Sequence, residues 1–300
     1  GCGPKADPTI KVGAFLSMTG GTATFGQSSQ KGMQLAIDEA NAEGGVLGKK
    51  LALITEDDRS NAQEAKTAAV KLLQQDKVVA LLGEVASSSS LAAAPDAQRA
   101  QVPMISPAST NPKVTEVGDY VFRVCFIDPF QGEVMAKFAH NSLQATTACL
   151  FKDNKSDYSV GLAEYFKNTF TQLGGQILSE ESYSGGDIDF KAQLTAMKGS
   201  NPQVIFIPGY YTEVGQIARQ ARELGITATL LGGDGWDSPK TIEIGGDAVE
   251  GAYFSNHYSD EDPNPVVQGY IAKFKAKYNE VPDAMGVLGF MAEAQTPMLA

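Results

Sequence analysis

The sequence has few of the residues that build metal sites or disulfide frameworks. It contains three cysteines and two histidines in 300 residues, and no two cysteines form a CxxC pair. A zinc site needs about four such ligands at close spacing, so the sequence argues against a metal centre. Cys125 and Cys149 lie in apolar runs, which favours buried thiols, although a disulfide between them stays open.

An excess of positive charge and long apolar runs are also lacking. The chain has 24 basic and 35 acidic residues, a formal net charge of −11. Such a chain is repelled by nucleic-acid backbones and by anionic membrane surfaces. The longest apolar stretches, such as residues 77–83, have the length of a buried strand rather than of a membrane span. We therefore expect no nucleic-acid partner.

Motifs of common enzyme classes are absent as well. No GxGxxG follows the first predicted strand, and there is no GxSxG elbow. Residues 44–50 resemble a phosphate-binding loop, but its spacing is one residue short and Lys50 stands where Ser or Thr would hold magnesium. Neither His140 nor His257 falls in a loop that we assign to a ligand cleft. We expect no catalysis, no cofactor and no metal.

The sequence does contain a regular alternation of strand and helix patterns. Between apolar segments, residues recur at helical spacing, as at Met33, Ala36, Ile37 and Ala40. This alternation predicts parallel strands with crossover helices. The predicted strands are residues 10–16, 51–55, 78–82, 103–106, 145–151, 176–182, 204–208 and 229–231.

The alternation occurs twice, and this repetition predicts the fold class. We expect an α/β protein with two doubly wound parallel-sheet lobes joined by a hinge, since 300 residues exceed one ordinary core. Ligands of such folds bind in a cleft at the carboxyl ends of the strands. The predicted division is an N-terminal tether at 1–8, lobe 1 at 9–121 plus 256–300, and lobe 2 at 122–255, with crossovers near 120–126 and 251–255.

Two hydroxyl-rich loops follow neighbouring predicted strands of lobe 1. The first, residues 83–90, contains four consecutive serines and opens a helix; the second contains Ser109 and Thr110. Hydroxyl groups and backbone N–H groups at a helix start form an anion site, which suits a carboxylate. Helix capping by the serines and an ordinary polar loop are the alternatives.

Lobe 2 offers an aromatic pair and an acidic loop. Tyr210 and Tyr211 follow one predicted strand, placed to cover an apolar group and to offer a phenol hydrogen bond. Asp234 follows another strand between glycines, where a carboxylate suits an ammonium group. For Asp237 an Asx turn is a serious alternative, and Trp236 either packs on the hinge or forms a wall of the pocket.

These segments together resemble the branched-chain amino-acid-binding proteins of the Leu/Ile/Val importer family, type I periplasmic binding proteins of ABC transporters. The resemblance runs in order from about Ile10 to Pro282. The strings that carry it are residues 18–20, 25–26, 30–36, 41–45, 57–58, 105–112, 122–123, 209–216 and 232–237.

The resemblance implies ligand-binding roles for individual residues. The first lobe would bind the carboxylate of an amino acid, and Asp234 would bind its ammonium group. Tyr158 and Tyr210 match residues that cover the ligand, and Phe25 matches an aromatic wall position. The members of the first-lobe carboxylate site are Val85, Ser87, Ala108, Ser109 and Thr110.

The implied function is that of the extracytoplasmic solute-binding protein of an ABC importer. It would bind a free amino acid, branched-chain or otherwise apolar, by hinge closure, and then dock on a membrane permease. The alternative is a sensory ligand-binding module for amides, urea or aromatic acids. An acidic group at the ammonium position favours amino acids over neutral amides.

The two ends of the chain carry further expectations. Cys2 follows Gly1 and precedes a short polar segment, which resembles the mature end of a bacterial lipoprotein. We therefore expect a lipid attached to Cys2 and a location in the periplasm or on the outer face of the cytoplasmic membrane, with a cloning remnant as the alternative. Family members continue beyond the helix that begins near Ala284, so an end at Ala300 indicates a truncation or a different closure, and Pro297 is expected to break a helix.

Overall fold

Strands and helices alternate along the computed structural model, which describes residues 9–299. The predicted tether and Cys2 lie outside the described residues. The strands are β1 Thr9–Leu16, β2 Lys50–Asp57, β3 Ala80–Leu82, β4 Met104–Ser106, β5 Val121–Arg123, β6 Thr147–Asp153, β7 Gln176–Tyr183, β8 Val204–Phe206, β9 Thr229–Gly232 and β10 Tyr253–Phe254. The helices are α1 Ala23–Ala42, α2 Ala62–Lys71, α3 Ser87–Ala100, α4 Asp128–Lys137, α5 Asp157–Gln172, α6 Lys191–Ser200, α7 Tyr211–Glu223, α8 Pro239–Gly245, α9 Pro265–Tyr278 and α10 Ala284–Leu299.

The chain divides into two compact units. Unit 1 contains the residues up to Ser109, Lys113–Cys125 and the residues from Ser259 onward. Unit 2 contains Thr110–Pro112 and Phe126–Tyr258. Each unit is a parallel-sheet α/β lobe, so the predicted fold class is confirmed.

The sheet of unit 1 has the strand order β2-β1-β3-β4-β5 and is parallel throughout. β1 lies between β2 and β3: Leu16 pairs with Asp57 of β2, and Ala14 pairs with Leu82 of β3. Its residues from Val12 to Leu16 are buried, as expected for a strand covered on both faces. Because the strands are parallel, their carboxyl ends lie at one edge of the sheet.

The sheet of unit 2 is also parallel, in the order β10-β9-β8-β6-β7. Helix α5 covers one face with Tyr158, Leu162, Phe166 and Phe170, which are buried and spaced four residues apart. The ring of Phe166 stacks on Phe206 of β8 at a centroid distance of 4.1 Å. This stripe places Tyr158 at the start of α5, beside the strand ends.

Two expectations about single residues are settled by the fold. Helix α10 runs to Leu299 and includes Pro297, so the predicted break there was wrong. A proline this close to a helix end disturbs few backbone hydrogen bonds, because only the preceding turn is affected. Cys125 and Cys149 are free thiols, and Cys149 is buried.

Within residues 9–299, no helix combines the length and apolarity required to cross a membrane.

Candidate functional site

Polar side chains collect at the carboxyl ends of the strands of unit 1. Ser17 follows β1, Glu84 follows β3, and Ser106 ends β4; all three are buried. Buried polar groups require hydrogen-bond partners, and these residues supply them to one another. We call this group, together with Asp58, Val85, Ser87, Ser90, Ala108 and Ser109, the unit-1 cluster.

The backbone carbonyl of Glu84 is the centre of the unit-1 cluster. It accepts hydrogen bonds from the hydroxyl groups of Ser90 at 3.0 Å, Ser106 at 2.6 Å and Ser109 at 2.8 Å. Ser109 Oγ also lies 3.0 Å from the carbonyl oxygen of Val85, to which it donates. The two predicted hydroxyl-rich loops are therefore joined, and the Ser109 hydroxyl is engaged in holding them together.

The start of α3 shows whether the serines of residues 87–90 cap the helix. The residue at the N-cap position is Ala86, whose side chain cannot accept a hydrogen bond. The capping interpretation is therefore wrong for the first serine, because Ser87 is already the first helical residue and is 1 % exposed. Val85 and Ala108 are also buried, and they follow the ends of the neighbouring strands β3 and β4.

Phe25 lies in the first turn of α1 and is 1 % exposed. The next residue is Gly26, and a Cβ atom there would lie 2.0 Å from the carbonyl oxygen of Ser17. Only glycine permits this approach. The beginning of α1 therefore packs directly against the end of β1, which places Phe25 in the neighbourhood of the unit-1 cluster.

Asp234 is the centre of a second group of polar residues, in unit 2. It begins a short 3-10 turn after β9 and is 3 % exposed. Its Oδ1 atom accepts a hydrogen bond from the Tyr158 hydroxyl at 2.9 Å and from Gln131 Nε2 at 3.1 Å. Its Oδ2 atom lies 2.8 Å from His257 Nε2. We call Thr110, Asp128, Gln131, Tyr158, Tyr210, Asp234, Ser255 and His257 the unit-2 cluster.

The two predicted tyrosines of this cluster stack on each other. The ring centroids of Tyr158 and Tyr210 are 5.2 Å apart, with an angle of 12° between the planes. Burial, and then the charges of Asp234 and Asp128, raise the pKa of the Tyr158 phenol well above its usual value. The phenol therefore stays protonated and donates to Asp234, while its oxygen accepts from the N–H of Gly235 at 3.1 Å.

Gln131 and His257 are members of the cluster that the sequence analysis missed. Gln131 Nε2 also donates to Asp128 Oδ1 at 2.8 Å, so this one amide joins two buried carboxyl groups. His257 follows the two-residue strand β10, and its ring stacks on Phe126 at 3.8 Å. The expectation that neither histidine belongs to the site was wrong for His257, because a strand of two residues gives almost no periodic signal.

Thr110 belongs to unit 2 rather than to the loop of Ser109. Its carbonyl oxygen accepts from the N–H of Asp128 at 2.9 Å, and its hydroxyl lies 3.5 Å from Gln131 Nε2. The single tryptophan has a structural role. Trp236 is 2 % exposed and donates from Nε1 to the carbonyl oxygen of Ile207 at 2.9 Å. Its ring centroid lies 6.3 Å from that of Phe254, in the segment 251–255 that was predicted as a crossover.

The structure thus groups the predicted residues into two sets. Unit 1 contains Phe25, Val85, Ser87, Ala108 and Ser109, and unit 2 contains Thr110, Tyr158, Tyr210 and Asp234. The first set offers hydroxyl and backbone groups, and the second offers the carboxyl group of Asp234, which contacts Tyr158, Gln131 and His257. Among the described residues, no group of three His, Cys, Asp or Glu side chains suits a metal ion.

Replacing Tyr158 by phenylalanine is expected to destabilise the protein by about 1–3 kcal/mol, because Gly235 N–H and Asp234 Oδ1 each lose a buried partner. Urea unfolding followed by circular dichroism measures the change. The matched control is Tyr165→Phe on the same helix, where the side chain is half-buried, and a change within about 0.5 kcal/mol is expected. Equal effects of the two substitutions would contradict the role given to the Tyr158 hydroxyl.

Comparison with known proteins extends over almost the whole chain. A family model described as periplasmic binding protein matches residues 9–294. A leucine-, isoleucine-, valine-, threonine- and alanine-binding protein from Pseudomonas aeruginosa is 32% identical over 284 residues, which are 94% of this chain and 75% of that protein.

Two solved structures closely resemble the structure of this chain. A leucine-binding protein, LivK, from Thermotoga maritima is 46% identical with a TM-score of 0.90, covering 94% of this chain and 80% of that one. The branched-chain amino acid transporter substrate-binding protein LivJ from Streptococcus pneumoniae, solved in complex with isoleucine, is 35% identical with a TM-score of 0.91. That match covers 97% of this chain and 83% of the other.

Proposed function

This chain belongs to the periplasmic binding protein family, and from that premise we propose that it is the amino-acid receptor of an ABC importer. We propose further that its ligand is a branched-chain or other apolar amino acid. The observation that carries the proposal is the buried carboxylate of Asp234, held by Tyr158 and Gln131. A relative bound to isoleucine favours an amino acid over the neutral amides and aromatic acids of the alternative sensory function.

An amino acid presents two opposite charges, and the two clusters suit them separately. In this proposal Asp234 binds the ammonium group, and a charge-assisted hydrogen bond makes this contact strong. The start of α3 with Ser87, together with Ala108, binds the carboxylate through hydroxyl and backbone N–H groups. Thr110 completes the polar contacts, while Phe25, Tyr158 and Tyr210 surround the apolar side chain.

Binding of both charges would favour the closed form of a hinged receptor. A ligand shifts a conformational equilibrium only as far as it binds one state more tightly. In this proposal the liganded form then docks on the membrane permease of the importer, and the chain itself catalyses no reaction and needs no cofactor.

The proposed location is extracytoplasmic, as for periplasmic binding proteins. Lipid attachment at Cys2 is part of this proposal and rests on the sequence around that residue alone. Mass spectrometry of the protein extracted from bacterial membranes tests it. A diacylglycerol-modified peptide that begins at Cys2 is the expected result, and an unmodified Cys2 in membrane-expressed protein would contradict it.

A thermal-shift screen tests the proposed ligand class. Leucine, isoleucine or valine is expected to raise the melting temperature, because a ligand that binds only the folded state stabilises it by about 2.7 kcal/mol at 100 times its Kd. The screen includes the other amino acids, with urea, acetamide and benzoate as comparison ligands. Stabilisation by one of the three comparison ligands alone would transfer the protein to the sensory class.

A further inference from the structure

We propose that the buried carboxyl groups of Asp58 and Glu84 share one proton, and that this proton positions the unit-1 cluster. The sharing of the proton stands on the structure of unit 1 alone. Its consequence for ligand affinity rests on the proposed function. Neither residue is among those predicted to bind ligand.

Both side chains are fully buried where three strands end. Asp58 follows β2, Glu84 follows β3, and each is 0 % exposed. Ser17 follows β1, the strand that lies between β2 and β3 in the sheet. Its hydroxyl oxygen contacts both carboxyl groups, at 2.8 Å from Asp58 Oδ1 and 3.2 Å from Glu84 Oε1. The two carboxyl groups lie within hydrogen-bonding range of each other.

The hydrogen bonds of the pair leave one oxygen to be explained. Glu84 Oε1 accepts from the N–H of Ser17 at 3.0 Å, and Oε2 accepts from the N–H of Ala86 at 2.6 Å. Asp58 Oδ1 accepts from Ser17 Oγ and from the N–H of Ser60 at 3.0 Å. Asp58 Oδ2 is buried and accepts from no donor in the described residues.

A proton on Asp58 Oδ2 accounts for this arrangement. An unpaired buried carboxylate oxygen is unfavourable, and two carboxylates in contact repel each other. Once protonated, Asp58 becomes a donor, and the side chain of Glu84, with which it interacts, offers a carboxylate as the acceptor. The proton belongs on Asp58 rather than on Glu84, because both Glu84 oxygens already accept from backbone N–H groups.

The charges around the pair favour retention of the proton. Burial, followed by the charge of Asp58, raises the pKa of Glu84 to about 8. Burial, with a contribution from Asp57, raises the pKa of Asp58 to about 6. Because the two groups interact, these values belong to the pair and not to either residue, so the pair carries one proton at pH 7 and the hydrogen bonds decide which carboxyl group holds it. Of the nearby basic groups, Arg59 is exposed and Arg123 donates to the carbonyl oxygen of Ser109 and to Thr115.

The shared proton connects directly to the proposed carboxylate site. Glu84 holds the N–H of Ala86, the residue before Ser87, and its own carbonyl oxygen holds Ser90, Ser106 and Ser109. Loss of the proton leaves two adjacent buried negative charges, and Glu84 is displaced from these contacts. Ligand affinity is therefore expected to fall at alkaline pH, by about tenfold per pH unit above the second pKa if one proton is required for binding.

The same pKa values determine in which direction the free energy of unfolding changes with pH. Both exceed the values of about 3.9 and 4.3 for exposed Asp and Glu, so the folded state holds more protons than the unfolded state. The contribution of the pair to the free energy of unfolding is therefore largest at acidic pH. It decreases as the pH rises to about 8 and is constant above that value.

The substitutions Asp58→Asn and Glu84→Gln test the position of the proton. Asparagine keeps Oδ1 as an acceptor and places an NH2 group where the protonated Oδ2 donates, so D58N is expected to fold with wild-type stability at pH 7. In E84Q an NH2 group faces the N–H of Ala86 or of Ser17, so E84Q is expected to melt at a lower temperature. Equal destabilisation by the two substitutions at pH 7 would overturn the assignment.

The pH profiles give the second readout. Wild type is expected to lose ligand affinity by about fivefold between pH 8 and pH 9 and by about tenfold per pH unit above that, whereas D58N keeps its affinity; a parallel loss in both proteins would overturn the positioning role. The titration of the ligand's own amino group affects both proteins alike. Glu293→Gln is the control, because burial also raises the pKa of this carboxyl of α10 to about 7 and its hydrogen-bond partner is Thr296, outside the unit-1 cluster; its removal is expected to leave the affinity profile unchanged.

A direct measurement separates this proposal from the proposed function. In protein labelled with 13C at the aspartate carboxyl carbons, the Asp58 resonance, assigned by its absence in D58N, is expected at the position of a protonated acid at pH 7. A resonance typical of a carboxylate at that pH would overturn the shared proton. This experiment uses no ligand, so it decides the question even if no amino acid binds.

Discussion

Asp234→Asn is expected to lower the affinity for the amino-acid ligand by about 30- to 4000-fold, because truncation of one partner of a buried charge pair costs about 2–5 kcal/mol. The substitution removes the negative charge and keeps the shape. Its amide oxygen can still accept from Tyr158 and Gln131, so the fold is retained. Isothermal titration calorimetry with the amino acid identified by the thermal-shift screen measures the loss.

Asp237→Asn is the matched control for this prediction. Asp237 follows the same 3-10 turn and carries the same charge, but it lies outside the unit-2 cluster. The control is expected to bind ligand with wild-type affinity. Unchanged affinity in Asp234→Asn would remove the ammonium-binding role from Asp234, and an equal loss in both variants would indicate an effect of net charge rather than of a specific contact.

Phe166→Ala is expected to destabilise the protein by about 3–5 kcal/mol, the range for removal of a fully buried phenylalanine. The ring is 0 % exposed and stacks on Phe206 at 4.1 Å and on Phe170 at 5.5 Å. Truncation leaves a cavity in the core beneath Tyr158. Denaturant unfolding followed by circular dichroism measures the change.

Two comparison variants test whether the loss of stability in Phe166→Ala comes from the cavity. Phe166→Leu fills most of the cavity and is expected to cost clearly less than Phe166→Ala. Asn168→Ala changes an exposed residue of the same helix and is expected to alter stability by no more than about 0.5 kcal/mol. A small effect of Phe166→Ala would show that the core of unit 2 repacks without this ring.

Much of the fold could be predicted because it depends on local spacing. Alternating strands and helices leave patterns of apolar residues that a sequence displays directly, and a parallel sheet follows from that order. The same reasoning placed Ser87, Tyr210 and Asp234 after strand ends, where the structure has them, whereas Tyr158 was expected only from the family resemblance. Short strands were located less accurately, as at residues 204–208, where β8 ends at Phe206.

The sequence by itself determined that this is a two-unit parallel α/β protein, and it determined which loops carry hydroxyl groups and a carboxylate. Only the tertiary structure decided how those groups are used. It placed His257 and Gln131 on Asp234, turned the Ser109 hydroxyl toward Glu84, and brought Asp58 against Glu84. Each of these contacts joins residues far apart in the chain. Their partners are set by burial, which forces polar groups to find one another and leaves no periodic pattern in the sequence.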